Sequence, residues 1–355
     1  MTNRLLPSLD ASPPAPASGV VRAGVRTGTA TGKVILAGEH ACVYGFPAVA
    51  LGLDRGVLVR VTPAGAHQAT RLRMRDLGMD VAVGDDHDLA RALEALLAAT
   101  NGGRRSKRPP GPLTIETFSS LPPGSGLGSS AALGVAIARA LDPRATDEDV
   151  LDRAMAWERV FHGEPSGVDA LVASRGGCLS FVRGAAPEAI EIGRGAFLCV
   201  GLSGRAASTR AIVEAVTARR VDDPTATTAI FEAIGGIARR MADALRAGEI
   251  DRVGHLMNAN QALLRRLGVS TPSLDRMCDL ALGCGAAGVK LTGSGGGGSA
   301  IAIAATRAAA DAVLEAWQRE LFAAFVVPIG PANAEASVLR LRRDGAPVMG
   351  TAAGA

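Results

Sequence analysis

Residues 122–132, Pro122-Pro-Gly-Ser-Gly-Leu-Gly-Ser-Ser-Ala-Ala132, run straight into an apolar stretch that ends near Leu141. Gly124, Gly126 and Gly128 alternate with Ser125 and Leu127, and Ser129 and Ser130 open the helix. Glycine lets backbone N–H groups turn inward and approach a ligand closely. A helix start adds unpaired N–H groups and the positive end of the dipole. The pattern predicts a polyphosphate cradle over Pro123–Ser130, with the Ser130 hydroxyl offered to a metal ion. An ordinary glycine turn with serine caps is the plainer alternative. A Walker A loop is excluded, because Gly32-Lys33 is followed by Val34 and position 27 is Thr. Gly293-Ser-Gly-Gly-Gly-Gly298 does match GxGxxG, but a short alternating apolar run follows it where a dinucleotide fold needs a helix.

Around that loop the chain reads as alternating strands and helices. Strand patterns occur at 33–37, 48–51, 56–61, 113–118, 178–182, 197–202, 289–292, 299–303 and 325–327, with helices at 87–99, 130–141, 147–162 and 308–322. Residues 205–285 are mostly helical. With 355 residues there is room for two domains, and Gly184-Ala-Ala-Pro187 marks a boundary near 185–196. Residues 1–24 and 343–355 read as a disordered and a flexible tail. Aromatics are 3% of the chain, so the core must be Ala, Val, Leu and Ile. The basic run Arg104, Arg105, Lys107 and Arg108 lies among glycines and prolines without aromatics, which fits a solvated loop and no nucleic-acid contact. Five scattered cysteines form no CxxC pair, no apolar run is long enough to span a membrane, and no signal-peptide layout opens the chain. These point to a cytoplasmic protein with a small, soluble substrate and no membrane partner.

Three further stretches carry chemistry. In Trp157-Glu-Arg-Val-Phe-His-Gly-Glu-Pro-Ser-Gly-Val-Asp169, Glu158 and His162 share a helix face, and a turn then presents Asp169. One carboxylate on Mg2+ and one near an acceptor hydroxyl are what phosphoryl transfer needs. Alone, Glu158 reads equally as a surface helix charge, Asp169 as a cap for the next helix, and His162 as structural. In Gly32-Lys-Val-Ile-Leu-Ala-Gly-Glu-His40, Lys33 opens an apolar strand, where a charge needs a partner such as Asp169 or a phosphate. Glu39, His40 and Tyr44 follow on a turn and could hydrogen-bond a polar substrate. Lys290-Leu-Thr-Gly-Ser-Gly-Gly-Gly-Gly298 could lie against phosphates or simply turn sharply.

These stretches, in this order, resemble the GHMP kinases, and Gly38–Gly45 and His162–Asp169 resemble the forms found in the mevalonate branch. The resemblance covers roughly residues 28–330. It implies a two-domain α+β fold, with an N-terminal domain over 25–190, a C-terminal domain over 195–332, and ATP and substrate bound between them. It further implies that Ser130 and Glu158 hold Mg2+, and that Asp169 takes or orients the acceptor proton. Lys33 would pair with Asp169 and stabilise phosphoryl charge. Gly295 and Gly296 would join Pro123–Ser130 against ATP, and Glu39, His40 and Thr209 would touch the acceptor. Ala170 stands where the family commonly has Asn, and Gly201-Leu-Ser-Gly204 lacks an acidic residue. The implied acceptor is mevalonate, with galactose or another sugar, homoserine and phosphomevalonate as alternatives. A non-catalytic nucleotide sensor is the reading of another class, and a homodimer is the open assembly.

Overall fold

The computed structural model describes residues 24–101, 111–206 and 208–331. The proposed tails, apart from Gly24, the basic run at 104–108 and residue 332 lie outside the described residues. A seven-stranded sheet holds β1 (Arg26–Ala37), β2 (Ala48–Pro63), β3 (Arg71–Met74), β4 (Met79–Ala82), β5 (Leu113–Ser119), β6 (Cys178–Phe181) and β7 (Glu188–Ala189). Its order is β4-β3-β5-β2-β6-β7, with β1 alongside β2. Among the described residues only the β3–β5 pair is parallel. A four-stranded antiparallel sheet has the order β11-β8-β10-β9, formed by β8 (Ala196–Leu202), β9 (Gly288–Thr292), β10 (Ser299–Ala304) and β11 (Ala323–Ile329). Helices α1 (Asp88–Asn101), α2 (Ser129–Leu141), α3 (Asp147–His162) and α4 (Val168–Arg175) accompany the first sheet. Helices α5 (Thr209–Asp222), α6 (Pro224–Ala247), α7 (Ile250–Leu267), α8 (Pro272–Gly283) and α9 (Arg307–Arg319) accompany the second.

Helix α2 is central, and only Ser129, Ser130 and Arg139 escape full burial in it. A helix apolar on every side must be enclosed. Here β1, β2, α3 and α4 enclose it. Helix α3 starts with a capping box between Thr146 and Asp149, carries three acids in its first turn, and stops at Gly163 ahead of Pro165. The main apolar cluster runs from Leu36 and Val59 of the first sheet to Ile301 and Phe325 of the second. The chain leaves the first sheet after Ala189 and enters the second at Ala196.

Three differences from the sequence reading have local causes. The runs at 48–51 and 56–61 are one strand: a side chain at Gly56 would sit 2.0 Å from the Ala30 carbonyl, and glycine there lets β1 pair closely with β2 at that point. Strands β3 and β4 are four residues each and half solvated, too short to alternate legibly. Helix α4, with eight residues, is equally short.

Candidate active site

Strand β1 delivers Lys33 at an irregularity in its pairing with β2. The main-chain N–H of Lys33 donates to the Leu127 carbonyl at 2.9 Å. Its side chain then passes beneath Gly128, and Nζ donates to the Gly126 carbonyl at 3.2 Å and lies 3.1 Å from Asp169 Oδ2. Lys33 is buried. An interior ammonium is tolerated only with such partners. Gly128 has φ +76, and a Cβ there would lie 2.9 Å from Lys33 Cγ. Gly128→Ala is therefore expected to displace Lys33 as well as strain the loop, and to weaken ATP binding by about tenfold or more. Fluorescent-nucleotide titration checks this.

The loop is backed by the late glycine run. Ser299 Oγ donates to the Ser125 carbonyl at 2.7 Å, and Gly126 and Gly293 are in backbone contact. Gly295 and Gly296 are differently engaged from the expectation. The Gly296 N–H donates to the Val269 carbonyl at 2.8 Å, and a Cβ on Gly295 would be 2.2 Å from that same oxygen. These glycines permit close packing on Val269, and the Gly296 amide already has a partner. At the start of α2, Gly128 is the N-cap and no side chain caps the first turn, so its positive end faces the loop uncapped.

Glu158 is buried on α3 instead of lying on its surface. Its Oε1 accepts from Ser130 Oγ at 2.5 Å, and Trp157 Nε1 donates to the same hydroxyl at 3.3 Å. The indole lies against α2 at Gly134, where a Cβ would be 2.9 Å from the ring. His162 Nε2 is 3.7 Å from Glu158 Oε2, and burial holds the imidazole below its ordinary pKa. Burial pushes the Glu158 carboxyl up to about 7, the Ser130 hydrogen bond opposes this, and the Asp169 charge adds to it. A buried carboxyl with a hydroxyl beside it and no bonded cation fits a Mg2+ site completed by phosphate oxygens and water. Among the described residues no cluster of three or more His, Cys, Asp or Glu makes an all-protein metal cage.

The raised carboxyl has a thermodynamic consequence. The folded pKa exceeds the unfolded one, so Glu158 contributes stability below pH 4.5 that is lost as pH rises through 7. The loss is on the order of 3 kcal/mol for the metal-free protein. Mg2+ held by Glu158 would favour the carboxylate, so stabilisation by Mg2+ with nucleotide should then grow from pH 6 to 8. Thermal melts with and without Mg2+ at each pH check this, and Glu158→Gln should abolish the trend.

Glu39 is not open to an acceptor in this structure. It is buried, with Oε1 paired to Lys290 Nζ and Oε2 accepting from Asn260 Nδ2 at 3.0 Å. Lys290 is fully buried on β9 and also donates to the Ile35 and Leu291 carbonyls. His40 has φ 61 and donates from Nε2 to the Ser294 carbonyl at 2.9 Å. Burial lowers its pKa to about 4, so it is neutral and Nδ1 is left as an acceptor. Ser294 Oγ also donates to Thr209 Oγ1 at 3.4 Å, which brings Thr209 at the head of α5 to the same glycine run. Asp169 lies in the first turn of α4, whose N-cap is Gly167, and its carboxylate faces Lys33.

The geometry thus gathers Lys33, Gly126, Ser130, Glu158 and Asp169, and places His40 with Thr209 through Ser294. Trp157, Ser294, Asn260 and the charge of Lys290 also join the site, through residues far from them in the chain. Lys290 was detectable: it stands in the apolar strand Val289-Lys-Leu, as Lys33 does in its own.

The model for the GHMP kinases N terminal domain matches residues 88–177, and that for GHMP kinases C terminal matches 241–324. A curated mevalonate kinase of Aeropyrum pernix is 36% identical over 276 residues, covering 75% of this chain and 85% of its own. One from Thermococcus sibiricus is 31% identical over 298 residues, covering 78% and 88%. The crystal structure of L. major mevalonate kinase in complex with R-mevalonate superposes with a TM-score of 0.70 at 27% identity, over 87% of this chain and 98% of that one. The Methanococcus jannaschii mevalonate kinase shares the fold with a TM-score of 0.72 at 24% identity. A glycine loop at the head of a buried helix, a lysine bridging it to an acid, and curated relatives over three quarters of the chain lead to one conclusion: this chain belongs to the GHMP kinase family.

Proposed function

We propose that this protein transfers the γ-phosphoryl group of ATP to the 5-hydroxyl of mevalonate, giving 5-phosphomevalonate and ADP. The observation that carries this reading is the bridge made by Lys33, which links the Gly126 carbonyl of the phosphate loop to the Asp169 carboxylate. One residue thereby ties the donor's cradle to the group that would meet the acceptor. The mevalonate kinases of Aeropyrum pernix and L. major support mevalonate as that acceptor.

Phosphoryl transfer asks the protein mainly for positioning and charge stabilisation. The open head of α2 and the loop amides would hold the triphosphate. Ser130 and Glu158 would hold Mg2+, which when bound neutralises phosphate charge. Asp169 would accept the hydrogen bond of the attacking hydroxyl and receive its proton. The new bond joins the hydroxyl oxygen to the γ-phosphorus, and the bond from that phosphorus to the ADP oxygen breaks. Lys33 would stabilise charge on the moving group and keep Asp169 aimed. Neutral His40 and Thr209 would orient the acceptor.

The split into domains over 25–190 and 195–332 belongs to the same reading, supported by the change of sheet between Ala189 and Ala196. A cytoplasmic location is supported by the five free thiols. Among the described residues no helix is long and apolar enough to cross a membrane.

Lys33→Met is expected to cut turnover by about 10²–10³. The side chain of Asp169 is 36% exposed, so its carboxylate stays hydrated without Lys33 and the fold should survive. Single-turnover assay beside circular dichroism checks both. The deciding experiment measures ADP release with mevalonate, galactose, homoserine and phosphomevalonate. Mevalonate should dominate. Faster turnover of another alcohol would reassign the acceptor, and ATP binding without ADP release on any of them would mark a sensor.

A further inference from the structure

An open-mouthed cavity of about 380 Å³ lies away from Lys33 and Asp169. Its walls are the first half of β1, the C-terminal ends of α2 and α4, and the start of α3. That volume falls within the range of small-molecule sites. Arg139 reaches into it from α2. Nη1 donates to the Thr29 carbonyl at 2.8 Å, and Nη2 donates to the Ser174 carbonyl at 2.6 Å and to the Ser174 hydroxyl at 3.2 Å. Among the described residues all these partners are neutral. Burial holds the guanidinium below its ordinary pKa, and the charge of Asp147 is the opposing influence. A half-buried cation bonded only to neutral groups is an incomplete arrangement, because desolvated charge calls for an opposite charge. Exposed Arg175 at the end of α4 lines the same cavity. Of the two acids on its wall, Asp142 is engaged by Arg153 at 3.2 Å, and Asp147 is exposed at the start of α3.

We propose that this cavity is a second ligand site, which takes a small hydroxylated anion, a phosphate ester or a carboxylate, between Arg139 and Arg175. Exposed Arg175 would supply the paired donors for the anion, and Arg139, whose Nη2 is committed to Ser174, would add its charge and the remaining Nη1 hydrogen. Asp147 and the exposed Thr27 of β1 suit a hydroxyl on the same molecule. The placement gives such a ligand a route to the phosphate site. Strand β1 leads from Thr31 to Lys33. Helix α2 leads back from Arg139 to Ser130, about 14 Å along its axis, and α4 from Ser174 to Asp169, about 8 Å. A ligand here would grip the far ends of α2, α3 and α4 and the first half of β1, the elements that carry Ser130, Glu158, Asp169 and Lys33.

The test titrates inorganic phosphate and succinate, in separate calorimetric experiments, into the full chain and its variants. One saturable site is expected to persist in Lys33→Met and to weaken tenfold or more in Arg139→Gln and in Arg175→Gln. Tighter phosphate than succinate identifies a phosphate ester, and the reverse a carboxylate. Arg175 is exposed, so its variant keeps the test informative should Arg139→Gln unfold. No saturable binding of either probe to Lys33→Met, or equal binding in the arginine variants, overturns the proposal. The result is independent of the kinase reading: a site lost only with the arginines stands even where no ADP release is seen.

Discussion

Asp169→Asn should lower turnover by about 10²–10⁴ while leaving ATP affinity nearly unchanged. Asparagine keeps the size of the side chain and an oxygen that can accept from Lys33 Nζ, now 3.1 Å from the carboxylate. It cannot take a proton, and it offers no negative charge to the acceptor hydroxyl. The loss should therefore fall on turnover and spare ATP binding, which in the proposed mechanism rests on the loop and on α2. Rapid-quench measurement of the chemical step, beside nucleotide titration, separates the two. Near-normal turnover would remove Asp169 from the mechanism and leave Lys33 as a structural lysine.

The second large effect concerns stability. Lys290 and Glu39 form a fully buried ion pair between β9 of one sheet and the turn after β1 of the other. Lys290→Met strands the Glu39 carboxylate in the interior, where among the described residues only Asn260 still donates to it. Removing one partner of a buried pair costs about 3–5 kcal/mol. Urea denaturation should register that loss as a lower midpoint. The double variant Glu39→Gln with Lys290→Met removes both charges, and it should recover a substantial part of the loss. Equal stability of the wild type and Lys290→Met would show that the pair carries no net weight. The cluster also touches the site, because His40 adjoins Glu39. Acceptor binding should accordingly weaken in the single variant even below its unfolding midpoint.

Much of the site was legible because its logic is local. An ammonium opening an apolar strand had to find an anion, and Lys33 finds Asp169. A glycine loop before a helix had to leave amides free for a ligand, and no side chain caps α2. Glu158 and His162, four residues apart, do face one another across one turn. Glu39 was the harder residue. Its place on a turn suggested contact with a polar substrate, and its actual partners come from residues 260 and 290. Ser294, which connects His40 to Thr209, lies 254 residues from the first and 85 from the second.

By itself, the order of residues determined the secondary elements around the loop and the kind of chemistry they serve, and it left Lys33 in need of an anion, an acid or a phosphate. Those follow from spacing and from the cost of isolated charge. Tertiary structure alone decided which buried polar groups share partners, that Gly295 and Gly296 press on Val269, and that an arginine-lined cavity lies behind α2. The Lys290–Glu39 pair joins segments 251 residues apart, and the energies of such contacts depend on approach distances of a few tenths of an ångström. No pattern along the chain encodes such distances until both sheets have packed.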